Sequence, residues 1–436
     1  MYAMTYKNKC VYTKRKENFM MNKHILRSLL FFSIGLALSV GTLTTPPSAF
    51  AHPSPRLFAH QTNPIGLVLL PHSPAVQTNW SMFGDNARHS HFNPYENSIA
   101  PGTVGKLSNG WLFHTKSSIG SSPAVVNGVV YIGSNDGNVY AIENATGAKL
   151  WSYAIGSGIV ETSPAVVNGI VYIGQYSDTM SANLYALDAK TGAKRWSYAT
   201  KGSIGSSPTV VNGVVYFGSG DGNIYALNAK TGSKIWSSTI GSIDFSSPAV
   251  DDGFVYIGST DGNVYALTTQ SGAKVWSFNV GLSIESSPTI ANHSVFIGAA
   301  DGNVYALNAR TGAKRWSYAT GNTVSSSPAV AHGVVYIGSG DGNVYALNAK
   351  TGMKQWSSNI GSFIASSPTV ANGLVYVGAQ DDSLSLLDAA TGAKVWNTTT
   401  GSPLALQGIS SSATVINGVI YIGSRDGNLY TYCICG

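Results

Sequence analysis

Several groups of residues in this 436-residue chain are of types that do chemistry, and each implies a different kind. Glu161, Asp244 and Glu285 stand just before a recurring Ser-Ser-Pro, and Asp178 lies in a loop longer than its counterparts. Carboxylates so placed would contact a ligand or a hard cation such as Ca²⁺, which takes several oxygens; the competing reading is solvated loop charge. Asp-Gly-Asn recurs, as at Asp221-Gly222-Asn223, and resembles a fragment of a calcium loop. The remaining ligands are missing at the required spacing, so a turn explains it better. His89-Ser90-His91 would clamp a metal if a third ligand arrived, but no ligand-spaced cluster completes it, and a solvated segment is expected instead. His332 merely replaces Asn in a hairpin turn. Ser-Ser-Pro is no nucleophile motif, because it recurs throughout with no Asp or His partner in phase. Cys433 and Cys435 face the same side of a strand, as a disulfide or as two thiols. These patterns assign no catalytic residue and no metal site.

The elements that position these residues follow from a repeat. Ser-Ser-Pro, or a close variant, ends at Pro123, Pro164, Pro208, Pro248, Pro288, Pro328, Pro368 and Ala413, in steps of 41, 44, 40, 40, 40, 40 and 45 residues. Tryptophan keeps the same phase at Trp111, Trp151, Trp196, Trp236, Trp276, Trp316, Trp356 and Trp396. Within the unit Ser206 to Ser238, Asn212-Gly213 joins two β-branched runs, and type I′ turns need φ > 0 at both such positions. Asp221-Gly222 and Thr231-Gly232 set off two further strands, so the unit is a four-stranded antiparallel meander. Ile224-Tyr225-Ala226-Leu227 is apolar on both faces, and both must be covered. Sheets packed face to face around an axis do this, which predicts a propeller.

The chain ends before an eighth unit reaches its Trp strand, while Trp111-Leu112-Phe113 precedes the first Ser-Ser-Pro with no blade of its own. Placing residues 111–116 beside Leu429 to Tyr432 completes one sheet and removes two open edges. The fold class expected is therefore all-β, an eight-bladed propeller closed by an N-terminal outer strand in the last blade and monomeric in solution.

The formal charge of +6 belongs to the N-terminus. Lys23 and Arg27 precede an apolar run from Leu29 to Val40, too short to span a bilayer comfortably, and Ala49-Phe50-Ala51 follows, with an uncleaved N-terminal anchor as the alternative. This is a signal-peptide pattern, with cleavage expected after Ala51 and a secreted or extracytoplasmic product. Initiation at Met20 or Met21 would give a more usual length. Residues 1–51 hold seven of the 26 basic and one of the 20 acidic residues, leaving 19 of each. A nucleic-acid partner loses its electrostatic support. No cysteine follows the apolar run at the cleavage site, so no lipid anchor is indicated. Residues 52–78, rich in Pro, His and Asn, read as a flexible lead before the propeller at 79–436.

The stretch Ala186-Leu187-Asp188-Ala189-Lys190-Thr191-Gly192-Ala193-Lys194-Arg195-Trp196 resembles the tryptophan-docking motif of the pyrroloquinoline quinone (PQQ) propeller family. The segment with Trp80, Gly84, Asp85, Ser90, Asn93-Pro94 and Ile99 is similar to the lead-in of quinoproteins. The resemblance implies that each docking Trp packs between neighbouring blades. It also covers both dehydrogenases and non-catalytic assembly-factor propellers, so the fold leaves the function open. In the dehydrogenases an expanded early loop carries a Ca²⁺-binding glutamate, and a vicinal cysteine pair lies over the cofactor. Here the corresponding loop, Gln175 to Asn183, has Asp178 as its only acid, and no two cysteines are adjacent. The expectation is a non-catalytic scaffold with no cofactor, binding a protein or cell-envelope component through its variable loops. The alternative is a PQQ- and calcium-dependent alcohol or sugar dehydrogenase. A third reading is carbohydrate binding by rim aromatics, Tyr176, Phe245 and Phe363.

Overall fold

The computed structural model describes residues 79–156, 158–177, 181–401 and 408–434. The signal-peptide and 52–78 readings lie outside these residues, as do Asp178 and Cys435. Cys433 is disulfide-bonded, to a partner outside the described residues.

The described chain forms eight four-stranded antiparallel blades in sequence order around one axis, and Phe92–Asn93 adds a parallel fifth strand beside Thr369–Ala371 in one of them. Blade 3 shows the pattern: an inner strand Thr209–Val211, then Val214–Gly218, Asn223–Asn228 and an outer strand Lys234–Thr239. The inner turn places Asn212 at φ 50° and Gly213 at φ 77°, as the type I′ reading requires. His332 takes the same left-handed position at φ 49°. The two middle strands are buried on both faces, with Val215, Phe217, Ile224, Ala226 and Leu227 fully enclosed. Each outer strand carries a bulge one residue before its Trp, as between Lys234 and Trp236. The bulge twists an otherwise exposed edge, which weakens it as a template for further pairing.

The Ser-Ser-Pro motif divides its work between two contacts. The first hydroxyl of each motif ties its own blade together: Ser206 Oγ accepts the Gly218 amide at 3.0 Å, and Thr162 does the same for Gly174. The second ties one blade to the next. Ser122 donates its amide to Ser163 Oγ, Ser163 to Ser207, Ser207 to Ser247, Ser247 to Ser287, Ser287 to Ser327, Ser327 to Ser367, and Ser367 to Ser412. Ser412 then donates to Ser122 Oγ at 2.9 Å, so the chain of bonds closes on itself around the axis.

At the outer radius the tryptophans do the same job. Trp276 Nε1 donates to Ala309 O of the next blade at 2.9 Å, and its ring lies over the turn glycine Gly312. That glycine sits at φ +71°, and a Cβ there would stand 2.7 Å from the indole, so two constraints exclude a side chain. Trp111, Trp151, Trp196, Trp236, Trp316 and Trp356 make the equivalent bond. Trp396 instead meets Tyr432 edge-on, with ring centroids 5.4 Å apart.

The closing strand is Ser108–His114, which pairs antiparallel with Asn428–Cys433, Leu112 opposite Tyr430. It starts three residues earlier than the expected 111–116 and stops at His114, because Thr115 already turns to donate to Gly427 O.

Two outcomes follow. Trp276→Ala removes an indole wedged between two blades and should destabilise by about 3–5 kcal/mol, read as a lowered melting temperature; an unchanged melting curve contradicts the docking role. Deleting residues 79–114 removes the closing strand, so the product should self-associate in sedimentation, whereas a monomer of undiminished stability contradicts the closure.

Candidate functional site

A propeller blade leaves the inner strand with one unpaired edge facing the axis. The amides of Val125, Val166, Val250, Ile290, Val330 and Val370 point there, and buried amides need acceptors. The lead-in supplies them. Trp80 O accepts from Val125, Ser81 O from Val166, Ala87 O from Val250, Arg88 O from Ile290, Ser90 O from Val330 and His91 O from Val370, at 2.7–3.0 Å. Asn93 Nδ2 then donates to Val415 O of the last blade at 2.9 Å. The segment from Trp80 to Asn93 thus runs round the axis and fastens to one blade after another.

Tight turning makes this path possible. Asp85, His89 and His91 all adopt positive φ. A Cβ on Gly84 would stand 2.6 Å from the His89 backbone, so that close approach requires glycine. His89 and His91 are buried, at 0% and 1% exposure, where a solvated segment was expected. Their surroundings explain the difference: both rings meet Phe83 edge-on, at centroid distances of 5.4 and 4.8 Å. His89 Nε2 lies 3.1 Å from Thr209 Oγ1, while both ring nitrogens of His91 have no partner among the described residues. Burial drives the imidazoles towards the neutral form. It lowers His89 to about 4, partly offset by a backbone hydrogen bond at Pro288, and His91 to about 3, aided by repulsion from His89.

The lead-in stops the axial channel at the Asn-Gly end and leaves a funnel of about 340 Å³ open at the other. Phe83 lines it together with the eight ring serines. The residue three places before each Pro, the position at which the blades differ most, also lines it: Gly120, Glu161, Gly205, Phe245, Glu285, Ser325, Ala365 and Ser410. Phe363, Gln380 and Arg425 complete the wall. Of the four candidate carboxylates, the structure therefore brings Glu161 and Glu285 to one cavity. Glu161 Oε1 accepts from Asn135 Nδ2 at 3.2 Å. Asp244 does not line the funnel; its carboxylate accepts from Ser242 Oγ at 3.2 Å. Blade 4 keeps the common spacing but carries Asp244 four residues before its Pro, where the other blades have Ile or Val, and Asp244 O and Phe245 lie over the space that a side chain at Gly205 would fill. Phe245 in turn stacks on Tyr176 of the expanded loop, at 6.0 Å and 14° between planes. A larger groove of about 880 Å³ at the Asn-Gly end is walled by turns and by the lead-in, and its Arg88 is already paired with Asp251 at 2.8 Å.

The Asp-Gly-Asn loops are turns, as read. Asp221 Oδ1 accepts the Asn223 amide, and Oδ2 accepts the Tyr225 hydroxyl at 2.7 Å. Among the described residues no three of His, Cys, Asp or Glu stand together as a metal-ligand group.

A family model described as the β-propeller of beta-alanine-activating enzyme matches residues 115–333, and one described as outer membrane protein assembly factor BamB matches residues 300–434. The chain belongs to the PQQ-like β-propeller family. No curated protein matches it in sequence. Among solved structures, BamB from Moraxella catarrhalis is 23% identical with a TM-score of 0.65, covering 75% of this chain and 99% of its own. Quinohemoprotein alcohol dehydrogenase from Comamonas testosteroni is 16% identical with a TM-score of 0.72, covering 84% and 82%. A europium-containing methanol dehydrogenase is 15% identical with a TM-score of 0.68, covering 82% and 98%. At these identities the likeness is one of fold. The described funnel wall carries Arg425 as its one cation, together with the carboxylates of Glu161 and Glu285.

The buried histidines give a pH prediction. Their folded-state values lie below the ordinary 6.5, so their contribution to stability is full above about pH 6.5 and is lost as pH falls towards 4. Each pH unit in that window should remove about 1.4 kcal/mol per titrating imidazole. His91→Leu, which replaces a ring with no hydrogen bond by an apolar group, should flatten the fall in melting temperature between pH 7 and pH 4. An unchanged pH slope contradicts the burial of a neutral imidazole.

Proposed function

We propose that this chain is an extracytoplasmic, non-catalytic propeller that recruits a protein or envelope component through its loop-rich end. One observation carries the reading: the residues common to all blades hold the blades to one another, and those that differ converge on that end. Serines form the ring, tryptophans dock, and loop aspartates cap their own turns. What remains around the funnel mouth includes exposed apolar side chains, Phe245 at 42% and Leu282 at 54%. Exposed apolar groups beside a polar rim suit partner binding. The signal-peptide pattern before Ala51 and the family model named for an outer membrane assembly factor support a location outside the cytoplasm.

The rival reading is a quinone-dependent dehydrogenase, supported by the shared fold of the alcohol and methanol dehydrogenases. Two measurements separate them. A photoreactive residue at the position of Leu282 should give a protein adduct in cells, while one at Met353, exposed at the opposite end, should not. Titration with PQQ and Ca²⁺ should leave the quinone absorbance unchanged. Adducts from Met353 alone, or saturable quinone binding with dye-linked turnover of an alcohol or sugar, would overturn the proposal.

A further inference from the structure

The serine ring has hydrogen-bonding capacity that the fold does not use. In each of Ser122, Ser163, Ser207, Ser247, Ser287, Ser327, Ser367 and Ser412, Oγ accepts an amide from the preceding blade. Among the described residues none of these hydroxyls donates in turn, although a hydroxyl has one proton and two lone pairs. All eight line the funnel. The axis is therefore encircled by O–H donors that retain a lone pair each, at the base of a cavity whose floor is the aromatic ring of Phe83.

Above this ring the wall alternates in character. Glu161 and Glu285 accept, Arg425 donates, and Gln380 does both. Phe245 presents an exposed ring whose other neighbour is the stacked Tyr176, and Phe363 adds a third aromatic edge. With two carboxylates against one guanidinium, the wall carries an excess negative charge and disfavours an anionic ligand. Among the described residues the wall assembles no group of three His, Cys, Asp or Glu, so it does not gather the several carboxylates that a hard cation takes. What suits such a wall is an uncharged molecule with many hydroxyls, each able to donate and accept, and with C–H faces to lie on an aromatic ring. The cavity is at the small end of the range for ligand sites, large enough for about one or two sugar rings.

We propose that the funnel binds a neutral saccharide, stacked on Phe245 and hydrogen-bonded to Glu161, Glu285 and the serine ring. Such a ligand sits inside the funnel whether or not a protein covers the rim. The same chemistry is offered by free sugars and by envelope glycans, and the test has an arm for each.

Calorimetric titration of the full chain with maltose, cellobiose and N,N′-diacetylchitobiose reads the free sugars, with glucuronate as a charged counterpart. Co-sedimentation with insoluble cell-wall glycan reads the polymer. A neutral saccharide should bind saturably in one arm or both, and glucuronate should bind more weakly. Phe245→Ala should weaken the neutral ligand at least tenfold, about 1.4 kcal/mol, and Glu161→Gln with Glu285→Gln should weaken it several-fold. Melting curves of these variants should match the parent, since Phe245 and Glu285 are exposed and Glu161 is half-buried. No binding in either arm overturns the site, as does binding that Phe245→Ala leaves unchanged. Neither result bears on the Leu282 adduct, so this site and the partner-binding reading fail separately.

Discussion

The second serine of each blade has an amide that its own sheet cannot satisfy, and the fold depends on where that amide goes. Each donates to the hydroxyl of the next blade's serine, at 2.9–3.1 Å, until the last returns to the first. A single such bond is worth about 0.5–1.5 kcal/mol net, but an orphaned buried amide costs more than the bond gains. The closed ring therefore joins the last blade to the first by the same contact that joins every other pair, and seven of the eight tryptophans repeat the next-neighbour rule at larger radius.

The ring also explains why a funnel exists. Eight small side chains at the innermost position leave the axis open, and a hydroxyl is the smallest side chain that accepts a hydrogen bond there. The lead-in then fills the Asn-Gly end, because the inner strands' free amides must be covered. One end is sealed by chain and the other is bordered by the only loops free to vary. The candidate site is a consequence of these two constraints.

Much of this was legible in the sequence. The forty-residue period, the double-faced apolar strands such as Ile224 to Leu227 and the unmatched strand at Trp111 together implied eight blades and their closure. The Asp-Gly-Asn loops and His332 behaved as turn residues, for the φ > 0 reasons that their neighbours gave. The lead-in was legible only as a resemblance; its path round the axis was not, because Trp80 to Asn93 is not repeated and acts mainly through backbone carbonyls. His89 and His91 looked solvated among Asn and Ser. The signal that would have placed them was indirect: an inner-strand edge with no partner in its own meander. Glu161 and Glu285 stand three residues before their Pro and line the funnel, whereas Asp244 stands four before Pro248, where the other blades carry Ile or Val, and Phe245 takes the funnel position beside it. The Tyr176–Phe245 stack, joining blades 2 and 4 across blade 3, has no local sequence signature.

The closed ring is tested most directly by native-state hydrogen exchange at the eight ring amides. If the ring has no weak seam, Ser412, whose bond to Ser122 joins the two ends of the chain, should be as protected as Ser247 in the middle of the repeat. Exchange at Ser412 orders of magnitude faster than at Ser247 would contradict it, showing eight blades held in an open arc.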